Sequence, residues 1–177
     1  MTGAASILLQ VSGLNVGFGA KTVVQEVSFT IAAGEKLALV GESGSGKTVT
    51  ALALLRLLEG ARVEGSVRFD DGSGPRELLG LPERQMRALR GDQIAMIFQE
   101  PMTALNPLMT VGTQIAEVLR LKRALTPAQA QQEAVQLLAH TGIPEPERRA
   151  GAYPHQLSGG QRQRVMIAMA LACRPRL

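Results

Sequence analysis

Leu37-Ala38-Leu39-Val40 runs without a break into Gly41-Glu42-Ser43-Gly44-Ser45-Gly46-Lys47-Thr48, and the residues from Thr48 to Leu58 are largely apolar and helix-forming. The loop matches G-x-x-x-x-G-K-[ST] at every fixed position. An apolar run without alternation reads as a strand buried on both faces, as in a parallel sheet. Glycines let the backbone turn tightly, so successive N–H groups point inward and cradle phosphate oxygens. A helix starting at Thr48 aims its positive end at the same phosphates. Lys47 adds a point charge toward the β and γ phosphates, and the Thr48 hydroxyl is a hard oxygen ligand for Mg²⁺. Strand, loop and helix together predict an α/β fold with a nucleotide held at Gly41–Thr48.

Outward from this loop, the N-terminal part reads as β-rich. Ile7, Leu9 and Val11 alternate with polar or small residues, as do Val23, Val27, Phe29 and Ile31. Val67 and Phe69 repeat the pattern before Asp70-Asp71-Gly72-Ser73-Gly74, which reads as a turn. Period-two patterning with one polar face predicts antiparallel strands. The segment Thr50–Leu58 is apolar almost all round, which predicts a helix packed on a sheet. Pro82–Arg90 reads as a short basic helix, and Ile94–Phe98 as a second buried strand. Val111–His140 is helical in pattern, broken at Thr126-Pro127, where Thr caps and Pro takes the first helical position. Gly142–Tyr153 reads as a linker, and a last helix is expected from Gln161 to about Ala172.

Composition narrows the function. The 177 residues suit one domain, or one core with a subdomain, and 45% hydrophobic residues suffice for a sizeable core. Aromatics make up only 3%, with no Trp, which argues against a stacking surface for single-stranded nucleic acid. The net charge of +4 fits a phosphate ligand and does not demand DNA, so no nucleic-acid partner is expected. Cys173 is the single cysteine, which excludes an internal disulfide and fits a reducing compartment. No signal-peptide pattern opens the chain and no apolar stretch reaches membrane-spanning length, so a cytoplasmic location is expected.

A second signal is Leu157-Ser158-Gly159-Gly160-Gln161, followed by Arg162-Gln163-Arg164 and a helical run. Ser158 is an N-cap residue, and the glycines leave backbone N–H groups accessible at the helix start. Such an end is a second anion site, suited to a terminal phosphate.

Gly41–Thr48, the segment Phe98-Gln99-Glu100-Pro101 through Pro107, and Tyr153-Pro154-His155-Gln156-Leu157-Ser158 through Arg164 occur in this order along the chain. Together they resemble the ATP-binding subunit of an ABC transporter, most closely the branch importing di- and oligopeptides, nickel and related solutes. The resemblance implies a P-loop NTPase (RecA-like) core with an antiparallel β subdomain over residues 1–100 and an α-helical subdomain over 101–172. It implies that Gly41–Thr48 is the Walker A motif, that Gln99 is the Q-loop glutamine sensing Mg²⁺ and the γ-phosphate, and that Leu157–Gln161 is the signature motif acting on ATP held by a second subunit. Phe18 falls where the family places an aromatic that stacks on adenine. The implied partners are transmembrane permease subunits, a second ATP-binding subunit (the same chain or a relative) and, indirectly, a periplasmic or extracellular solute-binding protein. The implied location is peripheral, on the inner face of the cell membrane. Met102, Leu105, Pro107 and Leu108 would belong to a loop and groove receiving a permease helix.

The family pattern continues past the position of Leu177 into a strand with the Walker B aspartate and catalytic glutamate. No run of four apolar residues followed by Asp-Glu occurs in this sequence. It therefore resembles the N-terminal two-thirds of a nucleotide-binding domain, expected to bind ATP but to lack the base for water. Two other readings stand beside a transport ATPase: a hydrolysis-dead ATP-binding switch, and a non-transport ABC ATPase. The latter kind inserts a long coiled coil between phosphate loop and signature, whereas Thr48 and Ser158 are only 110 positions apart without sustained heptads.

Overall fold

The alternating segments fold as a long antiparallel hairpin, β1 (Ile7–Phe18) and β2 (Lys21–Ala32), in a computed structural model that describes residues 6–98 and 104–177. The register sets Val11 opposite Phe29, Leu14 opposite Val27 and Val16 opposite Val24. Strand β3 (Ala61–Asp70) pairs with the other edge of β1, placing Leu9 opposite Phe69 and Val11 opposite Val67. The Asp70–Gly74 turn forms as expected: the Asp70 carboxylate accepts from the Gly72 and Gly74 N–H groups at 2.8 and 3.1 Å, and the chain returns as β4 (Pro75–Glu77). The sheet order is β2-β1-β3-β4, antiparallel throughout.

The described residues divide into two compact units, one running to Ala88 and including Arg176, the other holding Leu89–Pro175 and Leu177. In the first, α1 (Lys47–Leu54) packs on β1 and β2. Leu9, Val11, Val67 and Phe69 are buried in alternation, and a register shift between Val11 and Leu14, where Gly13 is left-handed (φ 56°), changes the phase of β1 so that Leu14 and Val16 are buried too. Helix α2 (Glu83–Leu89) follows, with Met86 buried and its arginines at the surface.

The second unit is helical: α3 (Val111–Arg123), α4 (Pro127–His140), the short α5 (Pro146–Ala150) and α6 (Gly159–Leu171). Thr126 caps α4 reciprocally with Gln129, and Pro127 takes the first helical position. One apolar core joins Val111, Ile115 and Leu119 of α3, Ala130, Ala134 and Leu138 of α4, Ala150 of α5, and Val165, Met166 and Ala168 of α6. A buried polar clamp lies beside it. The Gln114 side chain accepts from the Asn106 N–H at 2.9 Å and donates to the Asn106 and Met109 carbonyls, both at 3.0 Å. Burial and the charge of Asp92 push the Cys173 thiol above its ordinary range.

Four expectations need correction. Leu37–Val40 is not a buried parallel strand: it joins no sheet, and Val40 is 94% exposed. A parallel strand needs neighbours with free N–H and C=O groups, and the described strands pair only among themselves. Ile94–Phe98 likewise forms no full strand. Ile94 makes a single bridge to Arg90, while the Leu177 N–H donates to the Gln93 carbonyl and the Leu177 carbonyl accepts from the Ala95 N–H, as in a parallel pair. The helix expected to reach Leu58 stops at Leu54, because Arg56 turns left-handed (φ 52°) and β3 begins at Ala61. The linker 142–153 contains helix α5, started by Pro146 at a first-turn position where its missing N–H costs nothing.

Candidate phosphate-binding site

Gly46 is where the loop becomes α1, and its backbone is left-handed (φ 88°). A Cβ at this position would lie 3.1 Å from the Val23 carbonyl oxygen and from a Val24 methyl, so glycine is required both by conformation and by the close approach of β2. No side chain caps this helix start. Its first-turn N–H groups have no intrahelical acceptor, and the helix dipole adds positive potential there.

Lys47 folds back over the loop. Its ammonium donates to the Gly41 and Glu42 carbonyls, each at 2.7 Å, and to the Ser45 hydroxyl at 3.2 Å. The loop is further closed by the Ser45 N–H donating to the Glu42 carbonyl at 3.2 Å, and Thr50 is tied to the Gly46 carbonyl through both its N–H and its hydroxyl. Thr48 lies exposed on the first turn of α1. Gly41, Glu42, Ser43, Gly44 and Ser45 all sit at the surface of the same loop.

Phe18 ends β1, opposite Lys21 and Ala61, and is 37% exposed. It is a surface aromatic, at the same end of the hairpin as the Val23–Val24 segment that touches Gly46. Gln99 and Met102 lie outside the described residues. Leu105 is 4% exposed and belongs to the helical core, which corrects its assignment to a partner-facing groove. Leu108 is 85% exposed and Pro107 also lies at the surface.

In the helical unit, the Ser158 hydroxyl accepts from the Gln161 N–H at 3.3 Å, and the Gln161 side chain accepts from the Ser158 N–H at 3.0 Å. This is a closed capping box. Leu157 is buried, and its carbonyl accepts from Arg162 Nε at 3.0 Å. Gly159 and Gly160 are exposed, and a Cβ on either would meet nothing within 4 Å. One feature of this end has no role in the motif. Tyr153 and His155 stack with ring centroids 5.7 Å apart and planes at 12°. Two aromatic rings flanking a proline, just before the N-cap, are the signal in the sequence.

The sequence pattern described as ABC transporter matches residues 24–177, most of the chain. The chain belongs to this family. Within the family it is 55% identical over 177 residues to the peptidoglycan transport ATP-binding protein YejF of Agrobacterium fabrum, a match covering 96% of this chain and 32% of that protein. It is 51% identical over 178 residues to the oligopeptide transport ATP-binding protein OppD of Salmonella typhimurium, covering 98% and 52% respectively. The chain thus spans between about a third and about half the length of these relatives. A solved dimeric ATP-binding cassette, in a post-hydrolysis state bound to ADP and Pi, superposes with TM-score 0.81 at 28% identity. That superposition covers 95% of this chain and 71% of the solved one. The expected ABC cassette fold is therefore established.

Proposed function

We propose that the protein carrying this chain binds ATP at Gly41–Thr48 and couples its hydrolysis to the import of peptide-type solutes through separate membrane subunits. The observation that carries the reading is the helix start at Gly46. A left-handed glycine, an uncapped first turn and a lysine folded across the loop form a phosphate cradle on one short segment. The relatives are named as ATP-binding proteins for peptidoglycan and oligopeptide transport, which supports the solute class and gives no support to a non-transport role or a hydrolysis-dead switch. No described helix is long and apolar enough to cross a membrane, in keeping with spanning segments on partner subunits and a peripheral site for this protein on the inner membrane face.

Phe18 would stack on the adenine from its exposed position at the end of β1. Mg²⁺ would be held by the Thr48 hydroxyl together with phosphate oxygens and Gln99. The fit is that of a hard cation that retains water, since Thr48 is exposed and the described residues hold no cluster of three His, Cys, Asp or Glu. When bound, the ion neutralises charge developing on the transferred phosphate. These 177 residues alone would bind ATP without turning it over, because the sequence has no Asp-Glu after an apolar strand to supply the base.

Leu157–Gln161 would act in trans, on the ATP held by the Lys47 loop of a second subunit. Gly159 and Gly160 support this. Each weakens α6 relative to alanine, yet the chain's own packing leaves room for a Cβ at both, so the need for glycine comes from outside the chain. A permease would be received near the exposed Leu108. Leu105→Asp would disrupt the helical core rather than report on that surface.

The test is a pair of variants in the complete protein. Lys47→Ala should weaken ATP binding to the monomer about ten- to a hundredfold, by removing a charge-assisted contact. Ser158→Arg should leave monomer binding intact and abolish ATP-dependent pairing and turnover. Isothermal titration and sedimentation separate the two. If Ser158→Arg lowers monomer affinity as much as Lys47→Ala does, the signature acts within its own chain.

A further inference from the structure

We propose that a cleft between α4 and the end of α6 binds a short apolar peptide through its charged ends, a choice of ligand that rests on the peptide-import reading above. The cleft has a volume of about 350 Å³ and is lined by Glu133, Gln136, Leu137 and His140 on α4 and by Leu171 and Arg174 at the end of α6. The four α4 residues recur at i, i+3, i+4 and i+7, so one face of that helix forms one wall. The volume lies at the lower end of the range for small-molecule sites, roughly 300–1,000 Å³.

Backbone carbonyls at this cleft are already satisfied. The Thr141 N–H and hydroxyl donate to the Leu137 carbonyl at 3.0 and 3.1 Å, and the Gly142 N–H donates to the Ala139 carbonyl at 2.9 Å. On the other wall, the Arg174 N–H donates to the Leu171 carbonyl at 2.9 Å. The side chains of Gln136, His140 and Arg174 differ: none has a hydrogen-bond or ionic partner among the described residues. Arg174 is also left-handed (φ 53°), at a helix end where glycine is the ordinary occupant. An arginine kept there at a conformational cost, with its charge unpaired, suits a carboxylate, which its fork of donors matches. Glu133 supplies the opposite sign. Its Oε1 is bound to Arg123, and its Oε2 has no partner among the described residues, which suits an ammonium. The same cleft offers apolar surface, with Leu171 39% exposed and Leu137 half-buried. Inorganic phosphate would leave that surface uncovered and would meet the Glu133 carboxylate. A zwitterion with apolar side chains uses all three features.

The experiment titrates the complete protein calorimetrically with leucyl-leucine, its C-terminal amide, its N-acetyl form and inorganic phosphate. Leucyl-leucine should bind, and removing either end charge should weaken it about tenfold or more, the loss of one charge-assisted contact. Arg174→Gly removes the guanidinium yet suits the left-handed backbone. It should leave the melting temperature unchanged or higher, keep ATP affinity, and weaken leucyl-leucine by the same factor. Failure of leucyl-leucine to bind would overturn the proposal. So would equal affinity for the peptide and its amide, equal affinity of wild type and Arg174→Gly for the peptide, or phosphate binding more tightly than the peptide. ATP-driven uptake of leucyl-leucine by vesicles bearing the complete protein and its membrane subunits tests the transport reading separately. Peptide held at the cleft without uptake would sink transport and leave the cleft standing, whereas uptake without binding at the cleft would sink the cleft alone.

Discussion

Two glycine-bearing helix starts in this molecule are built on opposite principles. At α1, Gly46 is locked by a left-handed backbone and by contact with β2, and no side chain serves the helix end. At α6, Ser158 and Gln161 satisfy each other's N–H groups, and the two glycines that follow fill no steric need. The first end is left open, with the Lys47 ammonium held over the same loop, as the proposed phosphate site needs. The second is closed by its own side chains, with two exposed glycines beside the cap. The difference separates a glycine that the fold demands from two for which the chain's own packing gives no steric reason.

This contrast can be broken experimentally. The largest effect belongs to Gly46→Ala. A left-handed alanine, with its Cβ 3.1 Å from the Val23 carbonyl oxygen, should distort the loop at a cost of about 2–3 kcal/mol and weaken ATP binding at least thirtyfold. Titration showing wild-type affinity would mean the loop does not need its present shape. Ser158→Ala comes next. It should lower the stability of the helical unit by about 1 kcal/mol in denaturant titrations and leave monomer ATP affinity untouched. A tenfold fall in that affinity would erase the distinction between the two ends. The smallest effect has the more informative sign: Gly160→Ala should raise stability by about 0.5–1 kcal/mol while weakening ATP-dependent pairing. A loss of stability would show that the chain itself requires this glycine.

Local rules carried most of the fold. The hairpin Ile7–Ala32 was legible because apolar and polar residues alternate over most of both strands, although the register shifts that bury Val24 in place of Val23 left no local mark. The break at Thr126-Pro127 was legible because cap and proline chemistry act within a single turn. The passage from glycine-rich loop into helix at Gly46–Lys47 was legible because the spacing of the glycines allows few alternatives. What escaped depends on distant partners. Leu37–Val40 has the composition of a core strand, but pairing is decided by neighbours, and the described sheet offers none. Leu105 read as a surface loop residue because nothing local distinguishes it from Leu108, while the packing of α3 to α6 buries one and leaves the other exposed. Tyr153 and His155 were in plain view without a role, since stacking depends on ring orientation.

The Gln114 clamp has a mechanical consequence. One amide, 5% exposed, spends its oxygen and nitrogen on the backbone of Asn106 and Met109, so the segment leading into α3 is welded to the helix. A force on Asn106–Met109 would therefore reach α3 through these three hydrogen bonds rather than through slack chain. Gln114→Glu would replace the donating nitrogen with an oxygen facing two carbonyls, loosening the joint without emptying the space it fills.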